Sequence, residues 1–584
     1  MMRQAVAGLL ALAGLWCGAV ILGLNGGWLL YLAGLFIWAL LCFFGYRFLC
    51  ISDGRLRRQA GLLSFGLALS YALGYQLQRQ GGVDGFSGVG LVLTAALGLT
   101  PAVAFGVVCL YRACTKLRGQ SAHTGASPKK MFWLYFAVLF ASWLPVFLAY
   151  YPGLFAYDVA VQIPQITGGE YSTHHPLLHT LFLGVFYRLG GWLHSYNLGM
   201  ALHTLCQMVL QGLALAYALT YLYRRSAARG LRIFCLLFFA LCPIHSLLSI
   251  SMTKDTLYSA ALLLCLVFLH EAWVSPEELR SKWRMLRLAG MVAIVCLLRN
   301  NGVLIFLPLC GLLLLFFRKG KEPIRRILPV LLAGMLLFGG SSVLLSKGLQ
   351  AKSGPVKEGL SVPLQQMGRV YSLHGEALSP VIKEEIEEFI PGVYAYVPTF
   401  ADHIKAFANV GTGNMQAFLS LWARLGTQYP GEYVDAFLLN SQGFWFVDDT
   451  SQATHYGVGL EGRQGYLLTD TKEGFGVEHI SYFPALERLY EQLFSANEYS
   501  RLPVVSLIFS VGLYSWLLLF LFFAAWYEKR KDILLCTGML LLALACLFLG
   551  PCAIVRYQYP LIVGIPIFWG LLFSTEKKAK GLRG

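Results

Sequence analysis

The chain has 584 residues, of which 57% are hydrophobic and only 13% charged, and its formal net charge is +16. Soluble domains hold about 25% charged residues, so this composition reads as a polytopic membrane protein and excludes an ordinary soluble enzyme. The positive charge is spread over short segments between apolar runs rather than gathered on one soluble face, so no nucleic-acid partner is expected.

Apolar runs long enough to cross a bilayer lie at 5–24, 27–48, 60–78, 86–111, 131–150, 197–222, 231–250, 256–274, 302–317, 326–346, 504–526, 533–549 and 558–574, with a shorter one at 285–299. The first run is longer than a signal-peptide core and no small-residue cleavage site follows, so it is expected to be retained. The expected fold is an all-α polytopic membrane protein of about fourteen transmembrane helices with a mixed, mainly helical extracytoplasmic domain. The expected divisions are N-terminal helices at 1–112, a basic cytoplasmic linker at 113–130, a membrane core at 131–346 with an outer loop at 151–196, the outer domain at 347–503, and C-terminal helices with a basic tail at 504–584.

Between Lys347 and Pro503 there are 18 acidic and 11 basic residues, whereas the rest of the chain holds 12 acidic and 35 basic. The basic groups cluster at Arg47/Arg55/Arg57/Arg58, Arg112–Lys130, Arg224–Arg232, Arg280–Arg287, Arg318–Arg326, Lys529–Lys531 and Lys577–Lys580. The positive-inside rule places these clusters in the cytoplasm. The alternation works only if 176–193 lies along the outer surface or dips in and returns. None of the 14 cysteines falls in 347–503 and no Cys-x-x-Cys pair occurs, so disulfide, zinc-ribbon and redox readings fail. Within that segment 383–392 and 409–426 read as short helices. Tyr394, Tyr396, Tyr429, Tyr433, Trp445, Tyr456, Tyr466 and Tyr482 supply core and interfacial aromatics.

Polar groups collect in a few places. After the fifth run, residues 150–179 offer Asp158, Gln162, Gln165, Glu170, His174, His175 and His179 among helix-breaking Pro152, Gly153, Pro164, Gly168, Gly169 and Pro176. Lys254–Asp255, Arg299–Asn300–Asn301–Gly302 and Arg556–Tyr557 each interrupt apolar sequence. Topology puts all of them, together with 347–503, at one membrane face. A carboxylate there serves as a base or ion-pairs with a neighbouring Arg. Cations there suit an anionic headgroup or snorkel toward one. His175 and His179, four apart, would share a helix face, yet without a carboxylate at metal spacing no metal is indicated. No P-loop, Gly-x-Ser-x-Gly elbow or His-Glu-x-x-His motif occurs, and no inverted repeat supports a secondary transporter.

The Tyr151–Pro152–Gly153…Asp158 loop followed by His175–Pro176–Leu177 resembles the GT-C superfamily of membrane glycosyltransferases, in particular the protein O-mannosyltransferase and lipid A aminoarabinose transferase type. Lys254–Asp255, Arg299–Asn300–Asn301–Gly302, Ser361–Gln366 with Arg369, and Arg556–Tyr557 are similar to an uncharacterised bacterial branch. The acid is a single Asp rather than Asp-Glu, and the second motif reads His-His-Pro-Leu-Leu. The resemblance implies inverting transfer of a sugar from a polyprenyl-phosphate donor to an extracytoplasmic acceptor, without a cofactor. Asp158 would be the base and Lys254, Arg299 and Arg556 would hold the donor phosphate. Gln162, Glu170, His174, His175, Asp255, Asn300 and Tyr557 would line the site. A lipid-linked surface-polysaccharide ligase or polymerase, and a transporter or lipid flippase, are the alternatives.

Overall fold

In the computed structural model, which describes residues 2–24, 28–116, 118, 125–317, 322–449, 475–494 and 502–574, the chain is a helical membrane protein. Among the described residues there is no strand beyond isolated bridges. Tyr456, Tyr466, Arg318, Lys319, Lys321 and the Lys577–Lys580 cluster lie outside these residues.

Four N-terminal helices, α1 (Met2–Leu22), α2 (Trp28–Leu49), α3 (Gly54–Gln80) and α4 (Gly85–Lys116), pack on one another. Gly14 on α1 and Gly98 on α4 let the two backbones touch: a Cβ at Gly14 would sit 2.8 Å from the Gly98 carbonyl carbon. Small residues at such a crossing are how apolar helices gain packing in lipid. Asp53 caps α3 by accepting from the amides of Arg55 and Leu56.

The central helices are α5 (Pro128–Ala149), α6 (Tyr157–Gly168), α7 (Leu177–Trp192), α8 (Tyr196–Arg224), α9 (Arg229–Leu241), α10 (Pro243–Ile250), α11 (Lys254–Val274), α12 (Lys282–Leu298), α13 (Val303–Phe317) and α14 (Glu322–Gly348). The segment after α14 holds α15 (Ser361–His374), α16 (Pro380–Phe389), α17 (Ala401–Phe407), α18 (Met415–Gln428) and α19 (Pro430–Trp445). After α20 (Pro484–Phe494) come α21 (Pro503–Phe509), α22 (Val511–Tyr527), α23 (Lys531–Leu547) and α24 (Val555–Leu572). Eight helices are long and apolar enough to cross a membrane, and α9 with α10 makes a ninth if that pair, bent by 50°, is one span. The bend falls where Pro243 cannot donate to the helix ladder.

Two more expected elements depart from the sequence reading for local reasons. The 504–526 run breaks at Ser510, whose hydroxyl donates to the Val447 carbonyl and accepts from the Leu513 amide, capping α22. The helix expected from 409 begins only at Met415, because Asn414 folds back onto the Gly411 amide and the Asn409 carbonyl. The expected loop at 150–179 contains a helix, α6, despite Pro164 inside it. Val159, Ile163 and Ile166 are buried at helical spacing against Leu183, Tyr187, Met200 and Met252, and that packing outweighs the lost backbone bond.

α7 packs on α8: His179, Phe182 and Phe186 surround His203, Gly190 abuts Gly199, and Tyr187 stacks on Tyr196. At 16 residues α7 is not among the helices long enough to span.

α15–α19 enclose a core of their own around Leu364, Met367, Ile386, Phe389, Phe418 and Leu425. Arg369 ties this unit down by pairing with Asp435 at 3.2 Å and donating to the Gly81 carbonyl, while Asp435 accepts from the Val83 amide.

Candidate functional site

Among the described residues, the loops joining these helices are fastened to one another by four isolated bridges. Leu154 pairs with Ser251, Tyr151 with Ile480, Ser172 with Lys352 and Phe400 with Cys552. The first seats the start of α6 against the break between α10 and α11, with Leu154 N donating to Ile250 O and Met252 N to Leu154 O. Gly153, at φ 128°, passes so close to Thr204 and the Ile250 carbonyl that a Cβ would clash. The last bridge, with Ala401 N on Pro551 O and Asn440 on Gly550 O, lets α17 and α19 hold the loop ahead of Arg556.

This stitching brings Asp158, His175, Lys254, Asp255, Arg299, Arg556 and Tyr557 into one cluster. Asp158 stands in the first turn of α6, where the helix dipole favours its charge. The Lys254 ammonium lies 2.6 Å from its carboxylate, and Arg556 lies 3.7 Å away on the other oxygen. Thr253 caps α11, accepting from the Asp255 amide. The Asp255 carboxylate is fully buried and bridges Arg299 at 3.1 Å and Arg556 at 3.5 Å. Tyr557 lies under both guanidiniums, at 5.0 and 5.1 Å from its ring centre, and Tyr258 flanks Arg299 at 5.5 Å. Among the described residues three cations thus share two carboxylates.

Burial on its own would push the Asp158 carboxyl up, but Lys254 and Arg556 outweigh it and hold the carboxyl well below the usual carboxylate range. Burial and the Lys254 charge push the His175 imidazole down to about 3, so it is neutral at ordinary pH. The Lys254 ammonium can only donate, so at 3.3 Å it donates to His175 Nδ1 and the ring proton sits on Nε2.

Other expected site residues lie elsewhere. Glu170 is on the surface, paired with Lys352 at 2.8 Å with both side chains about three-quarters exposed. Gln162 is buried beneath the site and bonds Thr180 and His179. α7 begins after His175, so His175 and His179 do not share a helix face: one meets Lys254, the other Gln162. His174 packs edge-on against His175, and Asn300 donates to the Thr173 carbonyl. Tyr258 was not expected, although it lies one helical turn beyond Lys254 on α11. Among the described residues no group of three or more His, Cys, Asp or Glu is arranged to hold a metal.

Two clefts adjoin the cluster. One is a narrow cleft between α11, α13, α23 and α24, lined by Arg299, Tyr258 and Tyr557 together with Ile305, Leu547 and Leu561. The other, somewhat roomier, opens between α7, α12 and α14 and has His175 on its wall.

No curated protein and no solved structure matches the chain. The family described as "Family of unknown function (DUF6020)" matches residues 163–583, which include every cluster residue except Asp158. That span is well over half of the sequence, and the chain belongs to this family.

Proposed function

We propose that this protein is a membrane glycosyltransferase of GT-C type that moves a sugar from a polyprenyl-phosphate carrier to an extracytoplasmic acceptor. The observation that carries the reading is the cluster: one helix-terminal carboxylate, Asp158, faces Lys254 and Arg556, and Asp255 holds Arg556 and Arg299 together. Each of the fourteen apolar runs falls on helix, and the reading takes them as about fourteen spans, with α9–α10 as one bent span. Lys254, Arg299 and Arg556 sit at helix ends opposite the basic clusters at Arg224–Arg225, Lys282–Arg287 and Lys529–Lys531. The positive-inside rule then makes the cluster's side extracytoplasmic.

In this mechanism the acceptor hydroxyl oxygen attacks the anomeric carbon from the face opposite the phosphate. The bond from that carbon to the phosphate oxygen breaks, and the carrier phosphate leaves with the electron pair. The hydroxyl proton passes to the Asp158 carboxylate. Lys254, Arg556 and Arg299 take up the charge growing on the phosphate. Because Lys254 neutralises Asp158 in this structure, an arriving phosphate competes for Lys254 and restores basicity to the carboxylate. The cleft headed by Arg299 supports an anionic lipid as donor, since a cation stands at the mouth of apolar walls.

The test is carrier release from a panel of polyprenyl-phosphate sugars by the purified protein in liposomes, wild type beside Asp158→Asn. Consumption of one donor with a fall of about a hundredfold or more in the variant is expected. Equal consumption by both would remove Asp158 from the chemistry, and consumption of none by the wild type, with lipid and peptide acceptors supplied, would remove the transfer reading.

A transporter or flippase reading draws on a different observation. His203, Gln207 and Gln211 recur every four residues on α8, all within 1% of complete burial, and Gln211 and His245 both bond Tyr559. Polar groups at that depth are costly unless used. Donor consumption separates the two readings.

A further inference from the structure

The second cleft differs from the first in chemistry. Its polar lining is Thr173, His175, Asn300, Ser342 and Ser346, with no Lys, Arg, Asp or Glu. Its apolar lining includes Leu297, Phe338 and Leu345, from α12 and α14. α14 carries Leu336 and Leu344 about three-quarters exposed on its outer side, so the cleft borders a surface that faces acyl chains rather than water. His175 is 6% exposed, and its Nε2 is buried without a hydrogen-bond partner. Lys254 occupies Nδ1, on the opposite edge of the ring, so Nε2–H is a donor left for whatever enters the cleft. A buried unpaired donor is costly to the fold, and a ligand oxygen would relieve it.

We propose that this cleft is the acceptor site and that the acceptor is a membrane lipid with an uncharged, hydroxyl-bearing headgroup, one oxygen of which accepts from His175 Nε2–H. The assignment rests on the glycosyl-transfer reading above and names the acceptor class for that site. An anionic headgroup finds its cations at the Arg299 cleft, whereas hydroxyls find donors and acceptors of their own kind among Thr173, Asn300, Ser342 and Ser346. Lys254 bonds both the Asp158 carboxylate and His175 Nδ1, so the headgroup oxygen on Nε2 is anchored one imidazole ring away from that carboxylate.

The experiment is photo-crosslinking of the full-length protein in liposomes with a diazirine-bearing diacylglycerol, beside a diazirine-bearing phosphatidic acid. Labelled peptides are mapped by mass spectrometry. The diacylglycerol is expected to label the segments around Leu297 and Ser342–Ser346. Ser342→Trp, which fills the cleft, should cut that labelling about tenfold, and His175→Phe about fivefold. A Ser342→Trp protein whose thermal unfolding departs from wild type is replaced by Ser346→Trp. Labelling indifferent to these variants, or stronger with phosphatidic acid, overturns the proposal while leaving carrier release to judge transfer. Labelling lost in Ser342→Trp, in a wild type that releases no carrier with diacylglycerol present, overturns the acceptor role and the transfer reading together.

Discussion

The Lys254 ammonium lies 2.6 Å from the Asp158 carboxylate although 96 residues separate them in the chain. The contact follows from the Leu154–Ser251 bridge, which sets the start of α6 beside the start of α11. Both charges are mostly buried, with 16% and 8% of their side-chain surfaces exposed, so neither is stable there without the other.

Asp255 is the keystone of the arginine pair. Asp255→Ala leaves Arg299 and Arg556 together without their shared carboxylate, and a broken buried pair costs about 3 kcal/mol or more. Thermal unfolding in detergent should fall by several degrees. Asp255→Asn, which keeps the shape and an acceptor oxygen, should lose less.

Glu170 is expected to be dispensable. Its partner Lys352 is equally exposed, and a pair so open to water adds little to stability. Glu170→Gln should leave carrier release and unfolding temperature within error of wild type. A tenfold loss of activity would restore it as a second acid.

Acid should weaken the fold in two windows. Folded His175 stays neutral down to about 3, whereas an unfolded imidazole titrates near 6.5. Between these values the unfolded chain binds the additional proton, so stability falls as pH drops from 6.5 toward 3. Asp158 is held below the ordinary carboxylate value of 3.8, so its share is present above that pH and is lost as pH falls through the lower, folded value. Unfolding temperatures measured across pH should show a flatter decline between 6.5 and 4.5 in His175→Gln. Asp158→Asn should flatten only the part below about 4.

The Gly14–Gly98 crossing tests the N-terminal bundle. Gly98→Leu drives a side chain into the α1 backbone, since even a Cβ would lie 2.4 Å from Gly14. Overpacking of this kind costs about 1–3 kcal/mol. Limited proteolysis should release α1 from the variant first, with carrier release little changed, because the four helices lie away from the charge cluster.

The assignment of faces predicts opposite labelling. Glu170→Cys and Arg284→Cys, in a background with the exposed Cys50 and Cys109 replaced, should react with a membrane-impermeant maleimide from opposite sides of sealed vesicles. Reaction of both from one side would undo the topology on which the extracytoplasmic site rests.

The membrane class, the positions of the apolar helices and the chemistry-bearing residues Asp158, Lys254, Arg299 and Arg556 are all legible in the sequence, because hydropathy and isolated charges are local properties. Where local cues compete with packing they mislead. Pro164 and the glycines around it suggest a loop, yet the Val159, Ile163 and Ile166 face folds that stretch into α6. His175 and His179 suggest one helix face, yet the helix starts between them at Leu177. Only the tertiary structure joined Asp158 to Lys254 and Asp255 to both arginines, and only it sent Glu170 to the surface and Gln162 beneath the site. Those outcomes depend on bridges between loops up to about three hundred residues apart, such as Tyr151 with Ile480, and no spacing along a chain encodes the closing of such a loop.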